Sequence, residues 1–116
     1  MIKSGQLELF ETILLDIFKL KKKPTVVYSR QIRFNNSDCY GLYCKIDTKK
    51  SYQHKIRVSR KYIKNPEQLF GVLAHEYVHA WQIENDKELD HGILGGFMNW
   101  TLYFLKHYDI DIVYVE

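Results

Sequence analysis

The chain has 116 residues, 46% of them hydrophobic and 27% charged, with two prolines and a formal net charge of +3. This balance suits a single globular domain over residues 1–116 with its own core, and excludes collagen-like, disordered and disulfide-stapled chains. No run approaches the roughly 18 consecutive apolar residues of a membrane span, and the N-terminus lacks a signal-peptide pattern, so the expectation is a protein without a membrane partner, in the cytoplasm or in a eukaryotic nucleus.

Ser4 is a candidate N-cap, after which Leu7, Phe10, Leu14, Ile17 and Phe18 recur at helical spacing, with Ile13 and Leu20 widening the stripe. The pattern predicts an amphipathic helix that ends in Lys21, Lys22 and Lys23, cations suited to the negative end of its dipole, before Pro24. From Thr25 to about Phe34 the residues favour strand, interrupted by Ser29, Arg30 and Gln31; Asn35 to Asp38 reads as a turn. Tyr40 to Asp47 reads as a second strand. Cys39 and Cys44 lie five apart at its start and are expected to be reduced thiols. The third strand, His54 to Ser59, alternates polar and apolar residues, as a strand with one wet face or at an edge does. Short connections between the three suggest an antiparallel meander.

Asn65-Pro66-Glu67-Gln68 announces a second helix, with Asn at the cap, Pro at the first helical position and Gln three after the cap; it should run from about Pro66 to Glu84. A polar loop then leads to Asp90-His91-Gly92, a third helix is expected from about Ile93 to His107, and Asp109 to Val115 alternates as a final strand.

The second helix carries His75-Glu76-Tyr77-Val78-His79. Histidines four apart share a helix face, so both imidazoles can converge on one ion, while the residue after the first histidine points about 100° away around the axis. That division makes His75 and His79 metal ligands and Glu76 the base that takes a proton from a zinc-activated water. The surrounding Leu69, Phe70, Val72, Leu73, Ala74, Val78, Ala80, Trp81 and Ile83 make this a core helix, where two histidines and a glutamate need partners. Tyr77 is read as packing rather than as a donor to an oxyanion. A catalytic zinc site usually has three protein ligands and a water. Among Glu84, Asp86, Glu88, Asp90, His91 and His107, position favours His91, which follows a polar turn able to fold back under the helix; a glutamate from the 84–88 region is the alternative.

The His75-Glu76-Tyr77-Val78-His79-Ala80 motif, the twelve-residue step to Asp90-His91-Gly92, the helix after it and the segment Ile110 to Val115 resemble the SprT-like zinc metalloprotease family, which includes the Spartan-type DNA-protein crosslink proteases. The upstream order of helix, proline, three strands and motif helix matches in pattern. The chain departs from the family in Ile93-Leu94-Gly95-Gly96, where a small residue or proline, a glutamate and an aromatic are common, and the sequence shows no cysteine-rich zinc ribbon. The resemblance implies an α+β, zincin-like domain, with helices packed on a small, mainly antiparallel sheet. It also implies a zinc-dependent endopeptidase in which His75, His79 and His91 hold Zn2+ and Glu76 activates water, with a protein or peptide substrate that is DNA-bound or crosslinked. In zincins substrate backbone adds to an edge strand, for which His54 to Ser59 is the choice.

Charge bears on the partner. Residues 1–74 carry fifteen Lys and Arg against six Asp and Glu, a net +9, whereas residues 75–116 carry two against eight, a net −6. The basic half is a candidate for weak, sequence-independent DNA binding. It also keeps open a nucleic-acid-binding protein with a structural or vestigial metal site, and interleaved Tyr40, Tyr43, Lys45, Lys49, Lys50 and Tyr52 fit that reading. A metallopeptidase whose substrate is not DNA-linked is a further alternative.

Overall fold

The computed structural model describes residues 4–113, the side chain of Ser4 excepted, so the expected Ser4 cap lies outside the described residues. Helix α1 spans Ser4–Phe18. It turns Leu14 and Phe18 fully inward, with Leu7, Phe10, Ile13 and Ile17 packed against the same core. It stops short of the lysine run because Lys19 adopts a left-handed conformation (φ 55°), its N–H still bonded to the Leu15 carbonyl at 2.9 Å.

Five strands follow: β1 (Thr25–Ser29), β2 (Arg33–Phe34), β3 (Ser37–Asp38), β4 (Gly41–Asp47) and β5 (Tyr52–Ser59). β2 and β3 form their own two-stranded hairpin, turned by Asn35 and Asn36 at φ 51° and 64°, the positive pair a tight hairpin turn demands. The main sheet has the order β1-β5-β4, with β5 parallel to β1 and antiparallel to β4. The expected meander is therefore not formed: the small hairpin carries the chain across, and β5 returns between β1 and β4. His54–Ser59, expected at an edge, is central. Its alternation correctly reports one covered face, since His54, Ile56 and Val58 are buried. Side-chain alternation says nothing about whether a strand's backbone groups are paired, which is what defines an edge.

Helix α2 spans Pro66–Glu84 as the capping pattern predicts. The Asn65 side chain accepts the Gln68 N–H at 2.9 Å, and the Gln68 side chain accepts the Lys64 N–H at 2.7 Å. The helix is buried almost throughout, packed between α1 and the sheet. Helix α3 (Phe97–Tyr108) starts four residues later than expected, because residues 92–96 form a turn ending in Gly96 at φ 80°. Phe18 of α1 meets Tyr77 of α2 and Trp100 and Phe104 of α3, so the three helices share one aromatic core. The expected last strand is absent among the described residues 109–113, and its remainder lies outside them. Asp109 turns left-handed (φ 54°) and Ile112 is buried in the core instead. No helix among the described residues is long and apolar enough to cross a membrane.

Candidate metal centre

α2 places His75 and His79 one turn apart, and the turn after Asp90 brings His91 over them. The His91 Nε2 lies 3.2 Å from the Nε2 of His79 and 3.2 Å from that of His75. Two contacts fix what those atoms carry. His75 Nδ1 lies 2.7 Å from the Ile112 carbonyl oxygen, an acceptor, so the ring proton is there and its Nε2 presents a lone pair. His79 Nδ1 lies 2.8 Å from the Gln82 Oε1 and is tautomerically fixed in the same sense. Two lone pairs thus face one His91 nitrogen, which carries at most one proton, and a cation among the three removes the conflict. Zinc–nitrogen bonds of about 2.0–2.1 Å in tetrahedral array give ligand separations of about 3.3–3.4 Å, close to those found. Burial holds the His75 pKa down to about 3, and it also lowers that of His79, which keeps both rings in the neutral form a metal requires. Among the described residues these three form the group of ligand atoms able to hold an ion, all within 4.8 Å of one another. Phe97 lies under them, its ring centre 4.8, 5.6 and 5.0 Å from those of His75, His79 and His91.

Glu76 is buried, with Oε2 4.0 Å from His75 Nε2, beside the ligand set rather than within it. Gly41 at the start of β4 faces it: a Cβ there would lie 2.7 Å from Val72 Cγ1 and 3.0 Å from Glu76 Oε2. Gly41→Ala is therefore expected to displace the carboxylate and to destabilise the fold by about 1–3 kcal/mol through overpacking. Thermal melts of this variant check the loss of stability, and a crystal structure of it checks the position of the carboxylate.

Of the alternative glutamates of the 84–88 region, Glu88 is exposed and outside the group of three histidines, and Glu84 works elsewhere. Its carboxylate accepts the N–H groups of Lys21 at 2.7 Å and Lys22 at 3.0 Å and pairs with His54 Nε2 at 2.8 Å. Burial raises its pKa, and these hydrogen bonds more than offset that, leaving it lowered. His54 in turn meets the Tyr43 hydroxyl at 2.6 Å. With the carboxylate holding the His54 proton on Nε2, the Tyr43 hydroxyl donates to Nδ1 of the neutral ring. Asp90 accepts the N–H groups of Gly92 and Gly95, and His107 stacks on Tyr103, so neither joins the cluster. Cys39 is buried, its Sγ 3.7 Å from the Ser37 carbonyl oxygen, Cys44 is exposed, and the two are not joined in a disulfide.

Two supports escaped the sequence reading. Gln82 could have been suspected as a polar residue on a core helix three positions after His79, whereas a backbone carbonyl such as that of Ile112 leaves no mark in a sequence. The exposed edge of the main sheet next to the site is β4. Its pairing with β5, together with the Ser59 N–H to Tyr40 carbonyl and Thr48 N–H to Ser51 carbonyl bonds, turns the even-numbered residues toward β5 and leaves the backbone groups of Gly41, Tyr43 and Lys45 facing outward.

No curated protein and no solved structure matches the chain. The model of the SprT-like family, which has a zincin-like fold, matches residues 7–100, from the first turn of α1 through all three histidines into α3. With most of its length and its whole ligand set inside that match, the chain belongs to the SprT-like family.

Proposed function

We propose that the chain is a zinc-dependent endopeptidase in which His75, His79 and His91 hold the ion and Glu76 is the general base. The observation that carries this is the convergence of three histidine Nε2 atoms, two of them fixed as lone-pair donors, beside a buried carboxylate. Zinc held there lowers the pKa of a bound water to about 7 and polarises a substrate carbonyl. Glu76 takes the proton of the attacking water on Oε2 and passes it to the leaving amine. Outward-facing backbone groups of Gly41, Tyr43 and Lys45 pair the substrate as an added strand, a role that falls to β4 now that β5 is central. Ile93 and Leu94, 82% and 81% exposed two and three residues beyond His91, offer apolar contacts at the rim. A purely structural metal site has no use for a carboxylate in this place. The test is metal content by elemental analysis, together with cleavage of an unfolded protein such as casein, expected with zinc and absent in chelator.

The proposed substrate is protein held on DNA, contacted weakly and without sequence preference. Support comes from the net +9 of residues 1–74. The cations form two groups: Lys49 and Lys50 precede β5, with Lys22 and Lys45 nearby over the Tyr52 ring at 5.0 and 5.4 Å, while Arg60, Lys61 and Lys64 follow it. Eight residues at about 3.3 Å each separate the groups by about 26 Å, enough to reach different stretches of one backbone. Lys61 also pairs with Asp38 at 2.9 Å, which leaves it less free for phosphate. Cleavage of a DNA-binding protein should accelerate with single- or double-stranded DNA at low salt and lose that gain at moderate salt, through counterion release. Equal rates throughout, with no DNA binding at low salt, would remove nucleic acid from the proposal.

A further inference from the structure

We infer that Gln82 is a positioning residue that couples two metal ligands: one end of its buried amide fixes the tautomer of His79, and the other holds the turn that delivers His91. The inference rests on the zinc reading above. Gln82 is fully buried, three residues after His79 on α2. Its Nε2 lies 3.1 Å from the Asp90 carbonyl oxygen and 3.2 Å from that of Gly95. Both are acceptors, so the NH2 end of the amide must face them, and its single oxygen is left for His79. That oxygen in turn requires the His79 proton on Nδ1, at 2.8 Å. The orientation of one amide therefore follows from two backbone carbonyls and determines which nitrogen of His79 is free to bind.

The same two carbonyls bracket His91. Its side chain is exposed, with Phe97 beneath it, so the backbone on either side must share in placing it. Asp90 closes the turn through the Gly92 and Gly95 N–H groups, and Gly95 approaches so closely that a Cβ would lie 2.7 Å from Gln82 Nε2 and 2.7 Å from Asp90 Oδ1. Only glycine lets the turn close on the amide. Without the amide two carbonyls lose their donors and the turn loses its anchor to α2.

Two variants separate fixing the tautomer from holding the turn. Gln82→Glu keeps an acceptor for the His79 N–H and sets oxygen against both carbonyls; Gln82→Met keeps the volume and loses every contact. Zinc affinity by chelator competition should fall about 10- to 100-fold in both variants. In a His91→Ala background, where the turn no longer delivers a ligand and the weaker two-histidine site is titrated at millimolar zinc, Gln82→Glu should change affinity by less than about 2-fold. In metal-free protein, hydrogen exchange should quicken in Gln82→Met at the Gly96 and Met98 amides, which bond to the Ile93 and Gly92 carbonyls at 3.1 and 3.0 Å, while α2 core amides remain protected as evidence of folding. Zinc bound by Gln82→Glu as tightly as by the natural chain, or an equal loss with and without His91, would overturn the coupling. A natural chain that takes up no zinc would overturn both the metal reading and this role, even if the turn still loosened.

Discussion

Glu76→Gln is expected to retain about one zinc per chain while losing peptidase activity by about 100- to 10,000-fold. The substitution preserves shape, and the side chain is buried so close to Gly41 that a Cβ there would lie 3.0 Å from Glu76 Oε2. The His91 nitrogen lies 3.2 Å from those of His75 and His79, and the latter two are oriented by the Ile112 carbonyl and Gln82 rather than by Glu76. What the carboxamide lacks is basicity, since it cannot accept the proton of the attacking water. Elemental analysis and casein cleavage on one preparation read the two consequences separately. Undiminished activity would place the base elsewhere, whereas zinc lost together with activity would make Glu76 a ligand.

The parts of this site that sequence could show are those carried by local periodicity. His75, Glu76 and His79 follow from helical geometry, and the limits of α2 follow from Asn65, Pro66 and Gln68, whose hydrogen bonds form as the capping pattern requires with one displacement, the Gln68 side chain reaching Lys64 rather than Asn65 itself. His91 was reachable because a polar turn returns it to the helix. Less legible were relations across the fold. Glu84 and His91 looked like rivals for the ion because both are able ligands at a suitable remove. The structure separates them, since Glu84 lies at the end of α2 where the chain leaving α1 exposes two N–H groups, and His54 of β5 completes its shell. The placement of β5 between β1 and β4 depends on the excursion through β2 and β3, whose two-residue strands are too short to register as a hairpin by pattern. The end of the chain misled in a similar way: alternation at Ile110 and Ile112 suggested a strand, but burial of Ile112 and its carbonyl contact with His75 serve the ligand instead.

Removing the metal is the second large effect. The three histidines come from α2 and from a turn twelve residues further on, and they meet only when the turn is folded against the helix, so on the proposed reading zinc should bind the native state and not the unfolded chain. At free zinc about 1,000 times the dissociation constant, mass action contributes about 4 kcal/mol. At about 4 °C per kcal/mol for a chain of this size, chelation is expected to lower the melting temperature by about 15 °C. His79→Ala should melt near the chelated natural chain, bind no zinc at micromolar concentrations and have no peptidase activity, and added zinc should restore the natural chain alone. The core around Phe18, Tyr77 and Phe104 meets the histidines at Phe97 and Ile112 but is packed from apolar side chains, so the metal-free chain should still fold, and the loss is one of affinity and chemistry rather than of the whole structure. A melting curve unchanged by excess chelator, from protein shown to have contained zinc, would mean that the ion was held outside these three histidines.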